Sequence, residues 1–301
     1  MEEKNNQFKN ILITGDTGFI GRHLKNFLRE TEPEISISGF TRSAKQDIRN
    51  YEQILEAVRG KELAINLAGT STVNYSWKNP KQTVDIDAYG AINFFKACGK
   101  LGIPAIHISS AEVYGTNLQP GRLMSENHPL HPKHPYGVAK KAAEVFAQNM
   151  FTQGQPITVL RLFTQYGDGS SEPLERFVPR LTRNAILGKD LPVEGDGEII
   201  RDWVFVSDTA GAIWASRNAQ PGFYNICTGQ SFSQNQVATK ILHAVKNKFK
   251  TRSRLVNILH RRNFNETREQ QGDPSRFFEE TGWQAPTSLD EGIEKCIKFY
   301  S

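Results

Sequence analysis

Tyr136 and Lys140 lie four residues apart in Tyr136-Gly137-Val138-Ala139-Lys140, a spacing that on a helix turns both polar heads toward one pocket. Upstream, Ser109-Ser110 closes an apolar run, and Gly15-Asp16-Thr17-Gly18-Phe19-Ile20-Gly21 directly follows Ile11-Leu12-Ile13-Thr14. A phenol beside an ammonium can pass a proton to or from a carbonyl or alcohol oxygen. A glycine turn between strand and helix can hold a pyrophosphate on unpaired amides at the positive end of the helix dipole. Together, in this order, the two patterns describe an enzyme that moves hydride to or from a nicotinamide dinucleotide. A free tyrosine has a pKa of about 10, so half-ionisation at neutral pH needs a shift of about 3 units, or ~4 kcal/mol. Lys140 and a cationic nicotinamide ring are the nearest sources of that stabilisation. Ser110, at a strand end, reaches the same pocket and can hydrogen-bond the reacting oxygen.

Within the glycine turn, Gly15 permits the bend, Gly18 lets backbone approach the phosphates, and Gly21 lets helix pack close to strand. Thr17, Phe19 and Ile20 complete the turn and open the helix. A ribose with a free 2′-hydroxyl calls for an acid at the end of the next strand, about 20 residues on. Here that strand ends Gly39-Phe40-Thr41-Arg42-Ser43. Arg42 can pair with a 2′-phosphate, which favours NADP and leaves NAD as the alternative; otherwise Arg42 is a solvated loop cation. Asp47-Ile48 can meet the adenine, with the Asp47 carboxylate accepting its amino group, or Asp47 can cap the following helix.

Apolar periodicity supplies the elements that must hold these groups. Strands are expected over 10–14, 35–40, 63–68, 103–109 and 157–162, and helices over 19–29, 51–58, 83–100 and 135–150. Strands alternating with helices give an α/β fold, a doubly wound parallel sheet of Rossmann type with helices on both faces. After Tyr166 the alternation breaks: Gly167 to Ser171 is loop composition, Gly195-Asp196-Gly197 marks a tight turn, and 204–206 reads as a short strand. From Phe232 onward helices and a basic run show no strand alternation. The expected organisation is a dinucleotide-binding domain of residues 1–166 and 206–228 with a smaller, discontinuous substrate lobe of 167–205 and 229–301. Ligands in such sheets lie beyond the carboxyl ends of the strands, which directs attention to the cleft between sheet and lobe.

The chain has 301 residues, enough to bury a sizeable core, and its apolar runs are far too short to span a bilayer. Its polar first ten residues predict no secretory leader. Cys98, Cys227 and Cys296 are widely spaced and odd in number, as expected of packed, reduced thiols in a cytoplasmic protein. No Cys/His cluster has metal-ligand spacing, so no metal is expected. Lys246, Lys248, Lys250, Arg252, Arg254, Arg261 and Arg262 concentrate the positive charge. Without interleaved aromatics or a nucleic-acid motif, this stretch reads as a solvated face or a rim for an anionic substrate rather than a nucleic-acid patch. Neither nucleic acid nor membrane is expected as a partner.

Taken together, these motifs resemble the extended short-chain dehydrogenase/reductases, the NAD-dependent epimerase/dehydratases. Further matches are Asn66-Leu67-Ala68-Gly69, Ser109 to Gly115, Arg201 to Asp208 and Thr281-Gly282-Trp283, so the resemblance spans nearly the whole chain. It implies a nucleoside-diphosphate sugar as substrate, Tyr136 as acid/base, Lys140 supporting it and holding the ribose, and Ser110 on the substrate oxygen. It places Leu67, Ala68 and Gly69 against the cofactor and Arg201 on the sugar-nucleotide diphosphate, where a planar fork suits phosphate; the alternative for Arg201 is a salt bridge to Asp202 or Asp208. It also implies a homodimer. Three departures bear on the reaction. Ala111 replaces a proton donor usual in 4,6-dehydratases, leaving Glu112 as catalytic or structural. Thr164 stands before the substrate lobe, and Asp87 stands, where asparagine is usual. Lobe loops such as Phe177-Val178-Pro179 would contact base and sugar. The leading expectation is NADPH-dependent reduction of a 4-keto-6-deoxyhexose nucleotide, followed by a 4-epimerase retaining NAD, a dehydratase, and a non-catalytic NADP-binding regulator.

Overall fold

Ile11 and Ile13 pack into one apolar layer while Leu12, between them, packs into another. Burial on both faces is what a strand inside a parallel sheet requires. A computed structural model describes residues 8–70, 72–117, 119, 121–169, 176–259 and 267–301. Ser170 and Ser171 of the expected loop, and Arg261 and Arg262 of the basic stretch, lie outside the described residues. The chain runs β1 (Asn10–Thr14), α1 (Phe19–Thr31), β2 (Ser36–Phe40), α2 (Tyr51–Val58) and β3 (Leu63–Asn66). α3 (Val73–Lys78) and α4 (Pro80–Thr83) lead through a π-helical stretch, Val84–Gly90, into α5 (Ala91–Leu101) and β4 (Ala105–Ser110). Then come α6 (Pro135–Thr152), β5 (Ile157–Leu162), β6 (Thr164–Tyr166), α7 (Phe177–Ile186), β7 (Leu191–Glu194) and β8 (Ile200–Phe205). The remainder is α8 (Val206–Ala215), β9 (Gly222–Ile226), β10 (Ser231–Ser233), α9 (Gln234–Lys248), β11 (Leu255–Ile258), β12 (Glu269–Gln270), α10 (Ser275–Thr281) and α11 (Leu289–Tyr300).

Six strands form one parallel sheet in the order β2-β1-β3-β4-β5-β9. α1 and α8 bury Leu24, Leu28, Ile213 and Trp214 on one face; α2, α5 and α6 bury Ile54, Phe94 and Ala143 on the other. The fold is the expected doubly wound sheet. Chain order reverses between β1 and β3, so the turns after these strands diverge and open a crevice beyond their carboxyl ends. A separate apolar cluster joins Leu181 of α7, Val193 of β7, Trp203 of β8, Ile241 of α9 and Ile293 of α11. There β8 pairs antiparallel with β10 and parallel with β6 and β12, and β7 pairs parallel with β11. Phe277 of α10 and the nearby Trp283 pack with the six-stranded sheet.

Several local readings change. β3 ends at Asn66, whose side-chain oxygen accepts from the Thr14 hydroxyl at 2.6 Å and from the Ala68 amide at 3.1 Å and so turns the chain out of the strand. The short strand read at 204–206 spans Ile200–Phe205, and Val206 opens α8. Strands also occur beyond Phe232, β11 lying within the basic stretch; its half-exposed Leu255-Val256-Asn257-Ile258 carries no alternation and depends on β7 for its partner. Lys246 and Lys248 fall in the last turn of α9, where cations complement the helix dipole, and Lys248 also pairs with Glu294. No helix among the described residues is long and apolar enough to cross a membrane.

Candidate active site

Gly15 has φ +67°, and a Cβ there would lie 2.8 Å from the Ala68 amide nitrogen, so the turn after β1 touches the turn after β3 backbone to backbone. A Cβ on Gly21 would lie 2.5 Å from the Gly15 carbonyl oxygen, which is why α1 can start hard against the turn. Gly18, the N-cap of α1, puts no side chain on the first-turn amides. That cradle fits a dinucleotide's pyrophosphate, with the helix dipole behind it. A cleft of about 1350 Å³ extends from it, lined by Gly15, Thr17, Gly18, Arg42, Asp47, Ile48, Leu67, Ala68 and Gly69 at one end and by Glu112, Thr164, Phe177 and Arg201 at the other. This exceeds the ~300–1,000 Å³ typical of small-ligand sites. The side chains of Phe19 and Ile20 point elsewhere: the Arg176 guanidinium lies 4.5 Å over the Phe19 ring, and Ile20 packs on the sheet core. What these two residues offer the cleft is backbone.

Arg42 occupies an exposed helical turn at the cleft rim, next to Thr41, whose hydroxyl meets that of Thr17 at 2.8 Å. Asp47 does not cap α2; Asn50 does, accepting from the Gln53 amide at 3.2 Å. Instead the Arg49 Nε reaches both Asp47 oxygens, at 2.9 and 3.0 Å. That hydrogen bond holds the Asp47 carboxyl below its usual range. Arg49 also lines the cleft, a second rim cation that the sequence reading overlooked although Asp47-Ile48-Arg49 displays it.

Pro135 fixes where α6, which carries Tyr136 and Lys140, begins. Immediately before it, His134 takes the N-cap position: its Nδ1 accepts from the Gly137 amide at 3.1 Å, which leaves Nε2 to donate to Glu112 Oε2 at 2.8 Å. Burial alone would lift the Glu112 carboxyl, but the His134 hydrogen bond, the Arg201 charge and Gln270 outweigh it and hold it below the ordinary value. Ser110, ending β4, accepts from the Glu112 amide at 3.2 Å, and its hydroxyl lies close enough to Tyr136 to pull the phenol's pKa down. One turn along α6, Lys140 Nζ lies 5.8 Å from the Tyr136 ring centre, donates to the Ile108 carbonyl at 3.0 Å and stands 3.3 Å from Asp87. Ser110, Tyr136 and Lys140 thus come together. They stand behind the cleft wall formed by Gly69, Glu112 and His134; a Cβ on Gly69 would come 3.2 Å from Lys140 Nζ.

Lys140 pulls Tyr136 toward ionisation, as expected, but the lysine alone, without the nicotinamide cation, does not prevail. Burial raises the Tyr136 phenol, Lys140 and Ser110 pull it down, Asp87 and Glu112 push it up, and it ends above the ordinary tyrosine range. Lys140 is itself held above its usual value, because Asp87, Tyr136 and Glu144 outweigh its burial. Sequence showed Asp87 as a departure from pattern but not that its carboxylate reaches the lysine across two helices.

At the far end of the cleft, Arg201 is buried and donates to the Ile200 carbonyl at 2.8 Å and the Thr267 carbonyl at 2.7 Å. The salt-bridge alternatives are taken up elsewhere: Asp202 accepts from the Thr228 amide and hydroxyl, and Asp208 from Thr287. The Phe177 ring lies 5.7 Å from Trp203, which lines the cleft with Glu194 and Gln234. Those three carry no readable spacing, since the lobe's own packing brings them there. Among the described residues no group of three or more His, Cys, Asp or Glu could hold a metal ion.

A doubly wound sheet with a glycine turn at its switch point and Ser110, Tyr136 and Lys140 at the next strand end defines an extended short-chain dehydrogenase/reductase. Residues 32–296 match the family model described as GDP-mannose 4,6 dehydratase, and the chain belongs to that family of nucleotide-sugar enzymes. It is 26% identical over 333 residues to a dTDP-glucose 4,6-dehydratase of Haemophilus influenzae, covering 97% of each chain. Over 304 residues it is 25% identical to a GDP-6-deoxy-D-mannose reductase of Pseudomonas aeruginosa, covering 95% of each. The solved structure of MoeE5 in complex with UDP-glucose and NAD superposes with a TM-score of 0.84 at 26% identity, covering 96% of this chain and 98% of that one.

Proposed function

We propose that the chain reduces a nucleoside-diphosphate 4-keto-6-deoxyhexose with NADPH, Tyr136 giving the proton. The observation that carries this reading is geometric: Lys140 lies 5.8 Å from the centre of the half-buried Tyr136 ring and stands 3.3 Å from the Asp87 carboxylate, so its charge is already paired. A bound, reduced nicotinamide would supply the hydride; the chain supplies position and the proton. Tyr136 donates to the substrate oxygen as general acid, and Ser110 hydrogen-bonds that oxygen. Lys140, fixed by the Ile108 carbonyl, stays charged and stabilises the phenolate left behind. Arg42 would read the 2′-phosphate and Arg201 the sugar-nucleotide diphosphate, with Thr164 and Phe177 lining the sugar end. A dehydratase needs an acid for the departing hydroxyl. Ala111 offers none, and Glu112 is kept ionised by His134.

A 4-epimerase retaining NAD is the second reading, favoured by the Lys140 ammonium over the Tyr136 ring, which would also support the phenolate that an oxidation requires. The clustering of Ser110, Tyr136 and Lys140 speaks against a non-catalytic regulator. We place the dinucleotide domain at 1–166 and 206–228 and the substrate lobe at 167–205 and 229–301, with α10 and Trp283 of that second segment packed back on the six-stranded sheet. Exposed Val84, Tyr89, Val138 and Val145 on the π stretch and α6 support a homodimer, and three buried thiols support a cytoplasmic setting. The decisive experiment follows reduced-nicotinamide absorbance while the sugar product is analysed. One NADPH consumed per 4-keto-6-deoxy sugar nucleotide is expected, with no water lost from ordinary hexose nucleotides. Interconversion of two hexose nucleotides at constant absorbance overturns the reductase reading.

A further inference from the structure

Asp87 sits in the π stretch with 1% of its surface exposed. Its carboxylate accepts from the Thr70 amide at 3.0 and 3.2 Å and from the Thr70 hydroxyl, and its Oδ1 stands 3.3 Å from Lys140 Nζ. Thr70 follows Gly69 on the turn after β3, so this one carboxylate ties the cofactor-side turn to the catalytic helix. Deepening the reductase reading, on which this rests, we propose that Asp87 is a positioning residue that neutralises Lys140 and keeps Tyr136 protonated, so that the site is set to deliver a proton rather than to take one.

The argument turns on charge. A neutral amide in the same place could still accept from Thr70, but it would leave the buried ammonium unbalanced against the phenol and favour phenolate. With Asp87 ionised, the ammonium has a carboxylate at contact distance in a site where little water screens the pair. The other groups facing this pair are few. On Tyr136 act Lys140 from its own helix, Ser110 from the end of β4, Glu112, and His134 stacked 6.1 Å away. Toward Lys140 face Glu144 on α6 and His107 on β4, the latter kept neutral by burial. Arg201 acts on Glu112 from the lobe side. Among these groups Asp87 alone touches Lys140 with a carboxylate.

The test reads Tyr136 directly. Ultraviolet phenolate absorbance of the wild type and of Asp87→Asn, each corrected with its Tyr136→Phe counterpart, gives the ionisation of this one phenol. The wild-type phenol should ionise above the ordinary value of about 10. Asp87→Asn should bring it down by about one pH unit or more, and the alkaline limb of kcat/KM for reduction should move down with it. Asp87→Glu keeps the charge and should keep the limb even where turnover falls. A titration and limb unmoved in Asp87→Asn would overturn the proposal. If Asp87→Asn does not fold, a wild-type Tyr136 ionising at or below the ordinary value overturns it, and one ionising above, with the limb retained in Asp87→Glu, supports it. Failure of the reductase reading looks different: no keto sugar nucleotide consumes NADPH while the phenol titration still shifts.

Discussion

Tyr136 is the residue on which the proposed chemistry depends, and its replacement by phenylalanine removes only an oxygen. The aromatic ring would keep its place beside His134 and Lys140, so fold and cofactor binding should survive. Turnover of the true substrate should fall 10²-fold or more, the scale of a lost general acid; near-wild-type activity would remove Tyr136 from that role. Arg42→Ala tests the cofactor. NADPH binding should weaken by about 1.5–3 kcal/mol, the scale of a charge-assisted hydrogen bond, while NADH binding barely changes. Titrating both cofactors into both proteins checks this, with Arg49 close enough on the same rim to soften the loss. At this scale the sequence was legible wherever spacing along one helix or one turn carried the information, as for Tyr136, Lys140 and Gly15 to Gly21. It was silent where partners came from distant chain. Nothing local says that His134 locks Glu112 or that Asp87 meets Lys140, contacts that span 22 and 53 residues of sequence.

The glycine turn is an element-scale device, because Gly15 presses it against the turn after β3 and Gly21 presses α1 against it. Gly21→Ala places a methyl 2.5 Å from the Gly15 carbonyl, and α1 must pull away to admit it. A stability loss of roughly 1–3 kcal/mol is expected from such overpacking, with dinucleotide affinity falling as well because the first-turn amides move. Chemical denaturation and NADPH titration read the two effects, and unchanged affinity would show that α1 tolerates the shift. Elements with a full apolar signature were legible end to end: β1, α2 and β5 occupy the expected residues 10–14, 51–58 and 157–162. Short strands such as β10 and β12, at three and two residues, contain too little pattern to read and exist because β8 offers them an edge. The π stretch was invisible for another reason: over seven residues, Val84-Asp85-Ile86-Asp87-Ala88-Tyr89-Gly90, no side-chain period separates a π turn from an α turn.

For the molecule as a whole, the outer face of α6 is the surface to probe. Val138 and Val145 are seven residues apart, two turns on one face, and are 50% and 54% exposed. Val145→Asp should leave the secondary structure intact and shift the protein toward monomer, read by sedimentation or light scattering. A wild type that is already monomeric at micromolar concentration would end the dimer reading. The helical path from Pro80 to Leu101 carries a different whole-chain consequence. A π stretch holds a residue that an α-helix would not need at that point. Deleting one position within Val84–Gly90 would let the path close as α-helix with the turns on either side still in register, so that only the residues of the stretch itself are re-aimed. Asp87 could then leave Lys140 with the sheet undisturbed. The extra residue, rather than the identity of Asp87 alone, is thus what aims this carboxylate at the lysine.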